Sequence, residues 1–337
     1  MHWLQNYWYR ITPLHLILFP ISLVFRVLVA LRREMYRNGI LTSHQLLLPV
    51  IVVGNISVGG TGKTPLTLAL AQQLIARGWH PLIVSRGYGR TISIPLPVSL
   101  SSTAAQAGDE PLLMAQRDIC PVWVGADRVA TARAALLAHP QCDVVLCDDG
   151  LQHYRLQRDV EIAVIDGELG FGNGLMLPAG PLREPVSRLR SVDATVVNGG
   201  DAATGQYAMR LTGAVFYNLL NPGQTATPAD FNKPTDDFHK SKVHAVAGIG
   251  RPQRYFQYLE TLGIPFTPHA FPDHHPYRAT DLSFTNCDAI LLTEKDAVKC
   301  AAFADARYWV LRVDAQIDPA LTDLILRKIA PHGHQTA

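Results

Sequence analysis

The stretch VVGNISVGGTGKTPL, Val52 to Leu66, decides how the rest of the chain is read. An apolar run ends in a glycine-rich turn, and the turn ends in Gly62-Lys63-Thr64 before a helical pattern begins. The usual phosphate loop reads G-x-x-x-x-G-K-[S/T] between a strand and a helix. Here Ser57 holds the first glycine position, and Gly59 and Gly60 lie inside the loop. Backbone N–H groups of such a loop and the helix N-terminus cradle phosphates. Residues Ser57, Val58, Gly59, Gly60, Thr61, Gly62, Lys63 and Thr64 are therefore the candidate nucleotide-binding set. Lys63 would reach the β- and γ-phosphates of ATP, and the Thr64 hydroxyl would hold Mg²⁺. An ordinary glycine-rich strand–helix turn is the bland reading, and GKT in register argues against it.

A second apolar strand, VVLCDDG, ends in Asp148 and Asp149. An acid at the end of a strand completes the metal side of a phosphate-loop site. The sequence does not separate the two aspartates, and either one also suits a turn. Phosphate-loop ATPases of the partitioning and metallochaperone type carry a signature lysine inside the loop. The corresponding residue here is Val58, which weakens a motor or switch reading.

Around this core the pattern alternates. Strand-like runs at 49–55, 80–85, 121–125, 142–150 and 160–167 are separated by helical patterns at 64–77, 109–117 and 126–138. Such alternation predicts βαβ units and a mostly parallel sheet. Residues 206–220 alternate enough to suggest a β pair, and the polar 223–240 stretch reads as a surface connection. Alternation resumes near 241. The expected layout is an N-terminal helical segment (1–37), a nucleotide-binding and catalytic domain (38–204), a β connection (205–240) and a smaller α/β domain (241–334). Two units with a site between them also suggest closure on ATP.

The 337 residues carry a net charge of +2, and this mild balance gives no nucleic-acid signal. No feature demands an obligate protein partner. The five cysteines contain no CxxC, and Cys142 and Cys147 on one strand would lie about 17 Å apart, so reduced thiols are expected. The anomaly is ITPLHLILFPISLVFRVLVAL, residues 11–31, which is about long enough to span a bilayer. Arg26 and Pro20 make a shallow, interfacial placement preferable to a full span. Trp3, Tyr7, Trp8 and Tyr9 before it and Arg32, Arg33 and Arg37 after it suit a membrane surface. No A-x-A-like cleavage site follows a compact apolar region, so a signal peptide is not expected. The alternative is a helix packed in the protein core.

Six further strings stand in order along the chain: SRGYGR (85–90), GDEP (108–111), DDGLQH (148–153), PAGPLREP (178–185), FPDHHPY (271–277) and TEKDAVK (293–299). With the phosphate loop and the apolar helix, they make the chain resemble the tetraacyldisaccharide 4′-kinase family of Gram-negative bacteria, from about residue 10 to 330. Ser57 in place of the first glycine is shared by that family. The resemblance implies a phosphate-loop kinase core, with ATP phosphorylating the 4′-hydroxyl of a tetraacylated glucosamine disaccharide 1-phosphate. The product would be lipid IVA, a precursor in lipid A and lipopolysaccharide synthesis, made at the cytoplasmic face of the inner membrane. A lipid substrate stays in the bilayer, since extraction costs about 0.8 kcal/mol per CH₂; the first helix would bring the enzyme to it.

The resemblance also implies an Asp–His arrangement, carried onto Asp109 and His274, with Asp109 as proton acceptor and His274 orienting it. Asp109 alone reads equally as a helix cap. His274 is preferred to His275, and no accompanying ligand pattern suggests a structural metal. Tyr88, Glu110, Arg183 and Glu184 are candidate substrate contacts, since arginine matches phosphate bidentately. Arg128 is a weaker candidate, Gln152 and His153 would support the Asp149 region, and Lys295 and Asp296 fit either the nucleotide base or the cleft between domains. Two other classes remain open from the residues themselves: a nucleotide-driven membrane switch, disfavoured by Val58, and a soluble small-molecule kinase, disfavoured by the first helix.

Overall fold

The computed structural model describes residues 7–90, 93–232 and 242–330. Trp3 and residues 233–240 of the expected surface connection lie outside them. The chain opens with helix α1, Leu14–Arg37. Strand β1 (Val50–Gly54), helix α2 (Lys63–Ile75) and β2 (Pro81–Ser85) follow, then β3 (Leu96–Val98), the short α3 (Ala104–Ala107) and α4 (Asp109–Gln116). Next come β4 (Val122–Val124), α5 (Arg128–Ala138), β5 (Val144–Asp148), β6 (Val160–Asp166) and β7 (Ala194–Asn198). The long β8 (Tyr207–Asn218) and short β9 (Thr225–Ala226) lead to β10 (Val243–Ala247), α6 (Pro252–Thr261) and β11 (Thr267–Ala270). The chain ends with β12 (Ala289–Thr293), α7 (Glu294–Cys300), β13 (Tyr308–Ile317) and α8 (Pro319–Ile329).

All these strands join one sheet, in the order β11-β10-β12-β13-β8-β7-β6-β1-β5-β2-β4-β3, with β9 against β8. The pairings are parallel except β8 with β13, β8 with β9 and β3 with β4. The central strands are continuous apolar runs because helices cover both faces. Val50 to Gly54 are all buried, as are Val144 to Asp148. On one face Ile51, Val53, Leu66, Leu70 and Leu146 form a core. On the other, Val50, Val52, Leu82, Val129, Val145 and Cys147 form a second. Starting helices need caps for their free N–H groups: Asp127 supplies one to α5, accepting from Val129 and Ala130.

Two expectations change here. Residues 206–220 contain one strand rather than a β pair. Its partner is β13, paired antiparallel from Asn218↔Trp309 to Met209↔Ile317. Gly213 invites a turn reading, but it sits where the register shifts between Arg312 and Asp314. A β-carbon there would collide with the Arg312 carbonyl, so the glycine permits a close backbone approach at a bulge. Strand β8 also pairs parallel with β7, so it is the seam of a continuous sheet and not a connection beside it. The last helix, expected with the smaller C-terminal unit, crosses back: α8 buries Leu321, Ile325 and Ile329 in the core that contains β1 and α2.

Helix α1 is not a core helix. His15 and Ser22 are buried, Phe25 and Val29 pack on the second core, and the Ser22 hydroxyl donates to the Met176 carbonyl at 2.8 Å. These residues form a single narrow stripe. Elsewhere Leu16 is 80% and Ile17 70% exposed, and only 11% of the helix's most apolar 18-residue window is buried. Trp8 is tied down by a 3.0 Å bond from its indole to the Pro178 carbonyl.

The two halves of the sheet are also locked by helices. Arg117, just past α4, donates to Glu294 at the start of α7 (2.8 Å) and to Asp314 on β13 (2.7 Å). The side chains of Arg117 and Glu294 are 6% and 9% exposed. Breaking a buried ion pair from one side leaves an uncompensated charge. Arg117→Leu is expected to cost about 3 kcal/mol of unfolding free energy in urea titration; a loss within error would show that the pair does not hold the halves together.

Candidate active site

The phosphate loop leaves β1 at Asn55 and enters α2 at Lys63. Its curvature requires glycine: Gly59 has φ 114° and Gly62 φ 96°. A β-carbon on Gly62 would also strike the Asn198 amide, which donates to the Thr61 carbonyl at 3.0 Å. Asn55 ties the loop across its mouth, donating to the Thr61 hydroxyl at 3.1 Å. Val58 bonds through its N–H to the Pro181 carbonyl at 2.8 Å, so the PAGPLREP segment forms the loop's outer wall. From that wall Arg183 reaches back to Asp149 at 3.0 Å and to the Asn55 side chain.

Asp148 and Asp149, adjacent in sequence, have different environments. Asp149 has the left-handed backbone φ of 46°, uncommon without glycine, which turns its carboxylate toward Lys63 (3.7 Å) and Arg183. Burial alone would raise its pKa, but these two cations outweigh it and hold Asp149 below the ordinary carboxylate range. Asp148 is fully buried and accepts from the Thr67 hydroxyl at 3.2 Å and Ser85 at 3.4 Å. Burial, then repulsion from Glu110 and Asp149, pushes its carboxyl up to about 7.

The second cluster comes from both halves of the chain. Gly108 caps α4, so Asp109 and Glu110 occupy its first turn. FPDHHPY follows β11 and places His274 Nδ1 2.9 Å from Asp109 Oδ2. His274 has φ 61°, another left-handed non-glycine backbone. Such strained conformations gather at functional sites. Burial raises the Asp109 pKa, but the His274 hydrogen bond and the charges of Lys299 and Lys295 reverse the sign, so Asp109 is ionised at neutral pH. Lys295 lies 3.0 Å from Asp273, 3.2 Å from His274 Nε2 and 3.5 Å from Glu110. The exposed Tyr88 ring is centred 5.5 Å from that of His274. His275 turns away, hydrogen-bonding Asp281 at 3.2 Å.

The two clusters form one continuous site. A β-carbon on Gly250 would lie 3.7 Å from the Gly60 nitrogen and 3.6 Å from the Asp273 carboxylate, so the turn after β10 passes over the phosphate loop. Glu110 faces Asp148 from one side and Lys295 from the other. The two halves of the chain are in direct contact at Asp109–His274.

Some expected residues are placed differently. Glu184 is 1% exposed and accepts from Gln152 at 2.7 Å and from the Tyr154 hydroxyl, with Arg188 3.3 Å away. It presents no surface to a substrate and anchors the wall that carries Arg183. Gln152 also donates to the Asn55 carbonyl at 3.0 Å, which links that anchor to the phosphate loop. Arg128 is buried and donates to the Gly125 carbonyl. His153 is pushed down to about 4, first by burial and then by nearby Arg128. Asp296 is fully buried, accepting from the Gly248 N–H at 2.9 Å, so it braces the turn after β10, whose Gly248 carbonyl accepts the His274 N–H. Sequence reading passed over Asn55 and Asn198. It also passed over Asp166, which ends β6 and meets Arg251 at 3.0 Å and Arg254 at 3.7 Å. The NGG at the end of an apolar strand was the available signal for Asn198.

A GKT loop between a buried strand and a helix, a paired aspartate strand end beside it and an ionised Asp109 hydrogen-bonded to His274 facing them define a phosphate-loop phosphotransferase. The comparisons narrow this class. A family model described as tetraacyldisaccharide-1-P 4′-kinase matches residues 14–330. The tetraacyldisaccharide 4′-kinase of Methylobacillus flagellatus is 48% identical over 327 residues, covering 97% of this chain and 96% of the relative. That of Dechloromonas aromatica is 48% identical over 343 residues, covering 99% of each. The crystal structure of "apo" form LpxK from Aquifex aeolicus in complex with ATP aligns with a TM-score of 0.77 at 29% identity, over 94% of this chain and 99% of that one. The chain belongs to the tetraacyldisaccharide-1-P 4′-kinase family.

The raised Asp148 carboxyl sets a sign for pH dependence. Its folded pKa, about 7, lies above the ordinary 3.8, so the folded state keeps a proton that the unfolded chain loses. Stability is therefore lost as pH rises from about 4 to about 7 and stays lost above. Without nucleotide, Asp148→Asn is expected to melt a few degrees above the parent protein at pH 8, the gap closing near pH 4; equal melting at both pH values would contradict this placement.

Proposed function

We propose that the chain transfers the γ-phosphoryl group of ATP to the 4′-hydroxyl of a tetraacyldisaccharide 1-phosphate, giving lipid IVA in lipid A synthesis. The observation that carries this reading is the contact of Asp109 with His274 at the mouth of a GKT phosphate loop, in a chain of this family.

The residues divide the work. Backbone N–H groups of Gly59 to Thr64 and the start of α2 hold the phosphates, and Lys63 neutralises the transferring group; the Val58 N–H, expected among them, is instead taken by the Pro181 carbonyl. Lys63 rests against Asp149 in this structure, and a bound triphosphate would draw it over. Arg183, on the same aspartate, is placed to meet either the γ-phosphate or the substrate's 1-phosphate. The Thr64 hydroxyl and the Asp148 carboxylate would hold Mg²⁺. The fit rests on Asp148: it is fully buried, among the described residues its side-chain donors are the Thr67 and Ser85 hydroxyls, and burial makes its anion costly. Among the described residues no three His, Cys, Asp or Glu side chains form a metal cage, and Mg²⁺ in phosphate sites takes only one or two carboxylates. Bound there, it would neutralise charge on the β- and γ-phosphate oxygens.

Asp109 takes the proton of the 4′-hydroxyl as its oxygen attacks phosphorus and the bond to ADP breaks. Its depressed pKa is compatible with that role, because the loose transition state of phosphoryl transfer needs placement more than basicity. His274 holds one carboxylate oxygen and leaves the other for the substrate. Tyr88 and Glu110 line the approach as substrate contacts.

Helix α1 suits a monotopic attachment at the cytoplasmic face of the inner membrane. Its exposed apolar side would enter the acyl boundary, while Ser22, Phe25 and Val29 stay on the protein. Leu16→Glu with Val24→Glu removes apolar surface without touching that stripe. This pair is expected to abolish co-sedimentation with phospholipid vesicles while leaving the fold intact; retained sedimentation would remove α1 from the attachment.

The kinase reading is tested with purified protein, ATP–Mg²⁺ and tetraacyldisaccharide 1-phosphate in detergent micelles, against a deacylated disaccharide. A phosphate gained by the lipid at the 4′ position supports it. ATP hydrolysis without phosphorylated lipid contradicts it. Lys63→Ala and Asp109→Ala are each expected to lower kcat by at least about 100-fold with unchanged folding; near-normal turnover in Asp109→Ala would remove Asp109 from the base role.

A further inference from the structure

Two residues of the Asp–His pair are capable of taking the substrate proton: the Asp109 carboxylate, or His274 with Asp109 behind it. The surroundings of His274 discriminate between them. Its Nδ1 faces Asp109 Oδ2 at 2.9 Å. Its Nε2 faces the Lys295 ammonium at 3.2 Å. An ammonium has three donors and no acceptor, so the contact at Nε2 requires a lone pair there. His274 is then neutral, with its proton on Nδ1 and donated to Asp109. The Asp273 carboxylate stands farther from Nε2, at 3.8 Å, and itself binds Lys295 at 3.0 Å. A proton on Nε2 would put two donors in direct contact and leave that nitrogen's nearest neighbour unsatisfied.

We propose that Lys295 is a positioning residue that selects Asp109 as the proton acceptor by occupying the Nε2 lone pair of His274. The proposal rests on the kinase reading with Asp109 as base. Lys295 is well placed for the task because three further features hold it. Its ammonium is shared between Asp273 and Glu110, one from each half of the chain. Its helix, α7, is started by the Thr293 hydroxyl, which accepts from the Asp296 N–H. Asp296 in turn fixes Gly248, whose carbonyl accepts the His274 N–H at 3.3 Å. The lysine and the histidine backbone are thus referenced to the same turn. Among the described residues, the Tyr88 ring also faces the imidazole, beside Lys295, Asp109 and Asp273. The reaction needs no other proton store: the 4′-hydroxyl proton goes to Asp109, and the oxygen keeps the electron pair that forms the new P–O bond.

The test compares the parent protein with Lys295→Met and Lys295→Arg, each labelled with ¹⁵N-histidine, with the His274 signal assigned by its loss in His274→Gln. Long-range ¹H–¹⁵N spectra report which ring nitrogen carries the proton. The parent is expected to show His274 protonated on Nδ1 alone. Lys295→Met is expected to gain protonation at Nε2 and to lose about tenfold in kcat, with KM for ATP and lipid little changed. Lys295→Arg, a cation that also lacks an acceptor, is expected to keep the Nδ1 tautomer and most of the turnover. An unchanged tautomer in Lys295→Met overturns the proposal, whatever the rate. A rise in KM for ATP at constant kcat also overturns it and makes Lys295 a nucleotide ligand. Equal loss in Met and Arg variants with the tautomer intact assigns Lys295 to packing and overturns it as well. Failure of the underlying reading is distinguishable, because near-normal turnover in Asp109→Ala refutes the base assignment, whereas the tautomer in the parent and the Lys295 variants is read without reference to turnover.

Discussion

The 2.9 Å hydrogen bond between His274 and Asp109 joins residues 165 positions apart, one from each half of the chain. A phosphate loop supplies cations and N–H groups for the phosphates, but it brings no acceptor for a hydroxyl proton. That acceptor has to be held at the loop's open side by structure from elsewhere. Here the antiparallel pairing of β8 with β13 welds two parallel arrays into one sheet, and the buried Arg117–Glu294 pair sets α4 against α7. Asp109 starts the first of those helices, and Lys295 lies in the second.

The charge pattern follows from this geometry. On the loop side Asp149 is surrounded by cations and stays ionised, while Asp148 is buried against the Thr67 and Ser85 hydroxyls. On the far side Asp109 is flanked by His274 and two lysines. Glu110 stands between the groups, raising Asp148 on one side and binding Lys295 on the other. Neighbouring carboxylates are thereby driven to opposite protonation behaviour.

Much of this was legible in the sequence, for identifiable reasons. The phosphate loop, its strand and its helix are local: glycines at positive φ, a buried apolar run and GKT are contiguous. The strand–helix alternation is likewise a short-range pattern. Asp109 and His274 were reachable only through the family resemblance, because nothing local tells a helix-opening aspartate from a cap. The single sheet was not legible, since the partner of β8 is some 90 residues downstream in sequence and Gly213 signals a turn as well as a bulge. Glu184 was misplaced for a similar reason. An Arg-Glu pair in a loop suggests two phosphate-facing groups, yet Arg188 and Tyr154, distant or unremarkable in sequence, bury the glutamate.

The central claim is that Asp109 and His274 act as one unit and that Asp109 is its working end. A double-mutant cycle on kcat with Asp109→Asn and His274→Ala measures this directly. The account predicts that the double variant is no slower than Asp109→Asn alone, because His274 acts only through the carboxylate. Losses that multiply would mean two independent contributions and would contradict it.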